Sequence, residues 1–172
     1  DISRQEQDEL AAQSHRRAQR AIEENRFEGQ ILPVELKTRK GVTVFEQDEH
    51  VRFDCTPQDM AKLRPAFIPD GTVTAANASG INDAAAALVL MERNSAEARG
   101  LKPMARLVGY SLAAFDPAIM GIGPAPAVRQ LMSKTGVAIE DVDIWECNEA
   151  FAAQALSVVK ELGLDPEKVN PN

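Results

Sequence analysis

The run Glu146-Cys147-Asn148-Glu149 carries four side chains that could do chemistry. A carboxamide such as Asn148 can hold a water or donate to a developing oxyanion without changing its own charge. It can equally be a plain helix N-cap, the commoner use of asparagine at the start of a helix. A thiol just before a helix N-terminus can be acidified and reactive, whereas one inside a buried strand is inert, and Cys147 admits both readings. Glu146 and Glu149 could form an acid/base pair, or be a strand-end charge and a first-turn acid favoured by the helix dipole.

The elements that must position these groups follow from hydrophobic period. Val142 to Cys147 alternates apolar and acidic residues, which predicts a strand; from Glu149 to Leu162 the pattern is helical and apolar on almost every face. Asn148 therefore falls at a strand-to-helix junction, where backbone N–H groups and a weak positive field are available. The helix itself must be covered on several sides. Upstream, a strand from about Ala105 to Leu112 and a helix from about Ala125 to Thr135, ended by Gly136, complete a β-α-β-α order that implies parallel strands with right-handed crossovers.

Further back, Pro69-Asp70-Gly71 is a turn and Thr72 to Ala75 a strand. Ala75, Ala76, Ala78, Ser79 and Gly80 are all small, as needed where something approaches a backbone closely; a tight packing corner would need the same. Ala84 to Met91 is uniformly apolar. Alanine favours a helix there, while its length and Val-Leu pairing suit a buried strand. Glu92 to Arg99 reads as a short helix closed by Gly100, and Gly100 to Pro103 as a linker.

At the N-terminal end, Ser3 and Glu6 form a capping-box pattern ahead of an amphipathic helix over residues 4 to 24. One face carries Arg16, Arg17, Arg20, Glu23 and Glu24, with His15 among them and no partner evident in sequence. Val34, Leu36 and Thr38 alternate with charged residues, Lys40-Gly41 breaks the run, and Val42 and Val44 resume it, which predicts a hairpin. Thr56 as cap, Pro57 at the first position and Asp59 in the first turn start a short helix that Pro65 ends.

The chain is 44% hydrophobic and 26% charged, ordinary globular composition, enough for one core or two small ones. A net charge of −7 argues against nucleic-acid binding, which needs a clustered basic excess. No run approaches the roughly 18 apolar residues of a membrane span, and no signal pattern opens the chain, so a cytoplasmic setting is expected. Cys55 and Cys147 lie far apart without metal-type spacing and are expected to be reduced thiols.

Three motifs, in order, resemble those of thiolases: Gly71-Thr72-Val73-Thr74-Ala75-Ala76-Asn77-Ala78-Ser79-Gly80-Ile81-Asn82-Asp83, Met120-Gly121-Ile122-Gly123-Pro124, and Asn148-Glu149-Ala150-Phe151-Ala152. The resemblance extends over essentially the whole chain and is nearest to bacterial biosynthetic-type β-ketothiolases. It implies an α/β fold, part of a layered αβαβα thiolase arrangement. Residues 1–68 would belong to the loop domain covering the active site, 69–100 to the end of the N-terminal half, and 101–172 to the start of the C-terminal half. On that reading the 84–91 run is a strand.

The implied activity is acyl transfer between coenzyme A and an acyl-CoA, by Claisen condensation or by thiolysis of a 3-ketoacyl-CoA, with coenzyme A or acyl-CoA as substrate and no covalently bound cofactor. Asn148 would position the water of the oxyanion hole, and Glu149 would hold the loop. Arg52 would approach the nucleotide end of coenzyme A, where a planar fork suits adenine or phosphate. Ala75, Ala78 and Ser79 would floor the pantetheine tunnel, and Met120 and Phe151 would wall it. At Asp59 relatives can carry a serine that meets the cofactor, a departure from the pattern. The nucleophilic cysteine, the Gly-His-Pro histidine and the second cysteine match nothing within residues 1 to 172. The chain, starting at Asp1 and stopping at Asn172, is thus expected to be the middle of a longer protein, inactive alone, with the remaining thiolase segments as partners and a homo-oligomer as its assembly. Two other readings are a non-catalytic acyl-CoA binding module and a hydrolase using Cys147.

Overall fold

The structure, a computed structural model, describes every residue from Asp1 to Asn172. It clusters into two units, Asp1–Gly80 with Asp143–Asn172, and Ile81–Val142.

In the first unit α1 spans Arg4–Glu23. Its capping box is complete: the Ser3 hydroxyl accepts from Glu6 N–H, and the Glu6 carboxylate accepts from Ser3 N–H. The buried stripe is Gln7, Asp8, Ala11, Ala12 and Ala21, whose alanines let neighbouring segments approach closely. Ala11 and Ala12 pack on Met60 of α2 (Pro57–Ala61), with Cys55 and Ala76 against the same cluster. The hairpin is present as β1 (Val34–Thr38) and β2 (Gly41–Phe45), antiparallel, with Val34 opposite Phe45 and Thr38 opposite Gly41. All ten strand residues are exposed.

The C-terminal part of this unit is a β-α-β fragment with its strands reduced to a minimum. Trp145 forms a single parallel bridge with Val169: Trp145 N–H donates to Lys168 O at 2.8 Å and Asn170 N–H to Trp145 O at 2.9 Å. Between them lies α5 (Ala152–Leu162), which buries Ala152, Ala155, Val158 and Leu162 and ends at Gly163 in the left-handed region, φ +64°. Lys160 on α5 pairs with Glu6 on α1 at 2.6 Å, and this contact, with the hydrogen bonds from Ser3, holds the Glu6 pKa down at about 2.

The second unit contains α3 (Arg93–Ala98) and α4 (Pro124–Thr135), the latter preceded by a 3-10 turn over Pro117–Ile122 and ended by Gly136 at φ +72°. The segment around Gly109 lies directly on α4. Ser111 Oγ donates to Ala127 O at 2.6 Å, and a Cβ at Gly109 would meet Thr135 Cγ2 at 2.8 Å.

The expected strands over 72–75, 84–91 and 105–112 are not strands here, and the expected 142–147 strand is only the Trp145 bridge. The 84–91 run is apolar on both faces, the composition of a central parallel strand, which exists only with a ladder on each side and cover above and below. Leu88 and Val89 are instead 88% and 91% exposed, with no neighbouring strand in this chain to receive them. The last helix is also shorter than expected, starting at Ala152 rather than Glu149.

Candidate active site

The 72–80 corner is fastened by buried polar groups. Asn77 is 3% exposed; its Oδ1 accepts from Thr74 N–H at 2.8 Å, while its Nδ2 donates to Thr72 O at 3.1 Å and to Asp8 Oδ1 on α1 at 2.9 Å. Asp8 is buried too, and its second oxygen takes the Arg4 guanidinium at 2.7 Å. Arg4 in turn donates to the carbonyls of Met60 and Leu63. Gln7 Nε2 donates to Thr72 Oγ1 at 3.0 Å. A buried charge with this many partners is anchored, because moving any one of them would strand the others without water.

The backbone of the same corner receives the Asn148 turn. Ala78 and Phe151 form an antiparallel bridge; Ser79 N–H donates to Ala150 O at 3.0 Å, and Ala152 N–H, the first of α5, donates to Asn77 O at 2.9 Å. The small residues at 75–80 are what permit main chain to lie against main chain here. Two of the motifs singled out in the sequence are thus laced together. Phe151 is half-buried with its ring edge-on to Phe67, centroids 6.2 Å apart.

This arrangement settles one alternative. The N-cap position of α5 is Phe151, extended at φ −143°, so Asn148 lies three residues upstream and caps nothing. It stands exposed on the wall of an open cleft of about 460 Å³ lined by Ser14, Arg17, Glu146, Cys147, Glu149, Asn170 and Asn172. Cys147 is half-buried, and burial followed by the fields of Glu146 and Glu149 pushes its thiol pKa up, the opposite of what a nucleophile needs. Cys55 is likewise a free thiol, packed beside Met60. The Glu149 carboxylate accepts from Asn170 Nδ2 at 2.8 Å.

Arg52 is exposed, and its segment is tied to α1 by two side chains. His15 Nδ1 accepts from Arg52 N–H at 3.2 Å, and Gln19 Oε1 accepts from Asp54 N–H at 3.0 Å. Accepting that bond requires a neutral ring nitrogen. Burial, with the neighbouring His50 and Arg52, lowers the His15 pKa and keeps it neutral, against a smaller opposing pull from Glu149. His15 therefore lies within the electrostatic reach of both the Arg52 segment and the Asn148 turn. Its partner is a backbone group 37 residues away, which no residue pattern marks. Ala75 and Ser79 are exposed and Ala78 is half-buried at the corner, while Met120 belongs to the second unit, exposed within its 3-10 turn.

The family profile described as the thiolase N-terminal domain matches residues 1–94, and that of the thiolase C-terminal domain matches 101–172. Beta-ketothiolase BktB of Cupriavidus necator is 60% identical over all of this chain and 44% of its own length. The acetyl-CoA acetyltransferase of Escherichia coli K12 is 52% identical over 99% of this chain and 43% of its own. Among solved structures, acetyl-CoA acetyltransferase of Bacillus anthracis superposes with a TM-score of 0.93 at 56% identity, covering 98% of this chain and 43% of that one. Human mitochondrial 3-ketoacyl-CoA thiolase gives 0.88 at 41% identity, covering 99% and 43%. The chain spans less than half the length of these relatives. A mixed α/β chain that matches both domain profiles and superposes on these structures along nearly its whole length belongs to the thiolase family and holds part of the thiolase fold.

Proposed function

We propose that this segment is the middle portion of a β-ketothiolase, an acetyl-CoA C-acetyltransferase that moves an acyl group between coenzyme A and an acyl-CoA by Claisen condensation or thiolysis. The observation that carries the reading is the backbone lacing of the small-residue corner to the Asn148 turn, which leaves an uncharged amide on the wall of an open cleft. In such a reaction a cysteine thiolate takes the acyl group as a thioester, and a carbanion next to the second thioester carbonyl then attacks it. Each step places negative charge on a carbonyl oxygen. A fixed amide or a water held by one stabilises that oxygen without a proton changing hands.

Asn148 has this task, Glu149 holds its turn, and Cys147, with its raised pKa, is not the nucleophile. Ala75, Ala78 and Ser79 border the pantetheine arm, Phe151 gives it apolar surface, and Arg52 meets the nucleotide end of coenzyme A. No covalent cofactor enters the scheme. The remaining thiolase segments supply the nucleophile and the base, and the assembly is a homo-oligomer. The setting is cytoplasmic, a placement supported by rat and mouse relatives named as cytosolic.

The test is Asn148→Ala in the full-length protein that carries this segment, assayed by acetoacetyl-CoA thiolysis. Loss of one oxyanion donor lowers kcat by about 100- to 1000-fold. KM for coenzyme A should stay close to that of the parent, because the amide acts on the reacting carbonyl and not on the nucleotide. An unchanged kcat would overturn the assignment.

A further inference from the structure

We propose that Asn170 is a positioning residue for Asn148, a clamp that fixes the direction in which the Asn148 amide faces the cleft; this rests on the role proposed for Asn148 above. The Asn170 carboxamide uses its acceptor and both donors on one short turn. Its Oδ1 accepts from Cys147 N–H at 2.7 Å, and its Nδ2 donates to Cys147 O at 2.8 Å and to Glu149 Oε1 at 2.8 Å. The residue before Asn148 is therefore held by both of its backbone groups, and the residue after it by its side chain. Between those two fixed points Asn148 has little freedom beyond its own rotamer.

The clamp is itself anchored. Asn170 N–H donates to Trp145 O at 2.9 Å, and Arg17 Nη1 donates to the carbonyls of Val169 and Asn170 at 2.7 and 2.9 Å. Asn170 sits at φ +46°, a left-handed conformation that asparagine tolerates better than most residues. That backbone turn directs the side chain at Cys147 instead of along its own strand. A hydrophobic residue at 170 could satisfy neither the backbone conformation nor the three bonds.

Two variants of the full-length protein separate the side chain from the backbone. Asn170→Gly accepts the positive φ freely and deletes only the clamp. Its kcat for acetoacetyl-CoA thiolysis is expected to fall about ten- to a hundredfold, the loss typical of a reacting group displaced by about 1 Å. KM for coenzyme A should stay within roughly threefold, since ground-state binding is not what the clamp supports. Asn170→Asp keeps the acceptor but presents a carboxylate to the Cys147 carbonyl and to Glu149. It should be slow at pH 8 and recover relative to the parent as the pH falls and the new carboxyl gains a proton to donate. Asn170→Gly should show no such recovery, a difference that loss of folding would not produce.

A kcat for Asn170→Gly within about twofold of the parent, or a loss confined to KM, overturns the clamp. Should the glycine variant not fold, the aspartate profile decides alone: recovery supports the clamp and a flat ratio to the parent overturns it. If Asn148→Ala is slow and Asn170→Gly is fast, only the clamp fails. If Asn148→Ala leaves kcat unchanged, the role of Asn148 fails and the clamp falls with it.

Discussion

Replacing Asn77 by alanine should unfasten the corner on which the candidate site is built, and the cost can be worked from its bonds. The side chain holds Thr74 N–H at 2.8 Å, Thr72 O at 3.1 Å and the buried Asp8 carboxylate at 2.9 Å. Each neutral bond contributes about 1 kcal/mol and one to a charged group about 1.5–3, so the loss sums to about 3–5 kcal/mol. For a chain of this size that lowers Tm by about 6–20 °C. Urea or thermal unfolding followed by circular dichroism reads it directly. An alanine variant within about 1 kcal/mol of the parent would refute the account of the corner.

Three further outcomes follow from other contacts. The His15 pKa is depressed in the folded state, so its support of the Arg52 segment is present above the ordinary value of 6.5 and is lost as pH falls through the folded value. KM for coenzyme A should accordingly rise on acidification, and His15→Gln, whose amide oxygen accepts at any pH, should flatten that rise. Gly109→Ala would place a Cβ 2.8 Å from Thr135 Cγ2 and 3.2 Å from Leu131 Cδ1. Thr135 cannot rotate away without losing its bond to Leu131 O, so overpacking should cost about 1–3 kcal/mol, and Thr135→Ser, which removes Cγ2, should restore most of it in unfolding experiments. Cys147 should react with iodoacetamide more slowly than free cysteine at pH 8, and Glu146→Gln should speed it, since that carboxylate helps hold the thiolate off.

Local signals were legible wherever a few neighbouring residues decide the geometry. The Ser3/Glu6 capping box, the Thr56-Pro57 start of α2, the hairpin around Lys40-Gly41 and the glycine stops at 100 and 136 all stand where their own chemistry puts them. The runs at 84–91 and 105–112, expected as strands, are not strands here, because a strand is a relation between segments and no other strand lies beside them in this structure. Asn148 shows the same division: its junction position could be read, but whether it caps a helix depended on where α5 begins. That boundary is set by Asn77 O receiving the first free N–H of the helix from 75 residues away in sequence.

The groups that sequence did not reveal share one property, which is that they bond to backbone across long separations. His15 accepts from Arg52 N–H, Arg17 donates to Val169 and Asn170 carbonyls, and Asn170 brackets Cys147. Main-chain partners leave no trace in the identity of the residue contacted, so no pattern search could pair them. Arg17 and Asn170 also line the cleft, and the segments around Cys147 and Asn170 that they hold are irregular. A site on regular elements can be positioned by packing. This one is positioned by polar side chains standing in for absent strand partners, and its geometry should therefore respond to changes at Asn170, Arg17 and His15 more sharply than to changes in the apolar core.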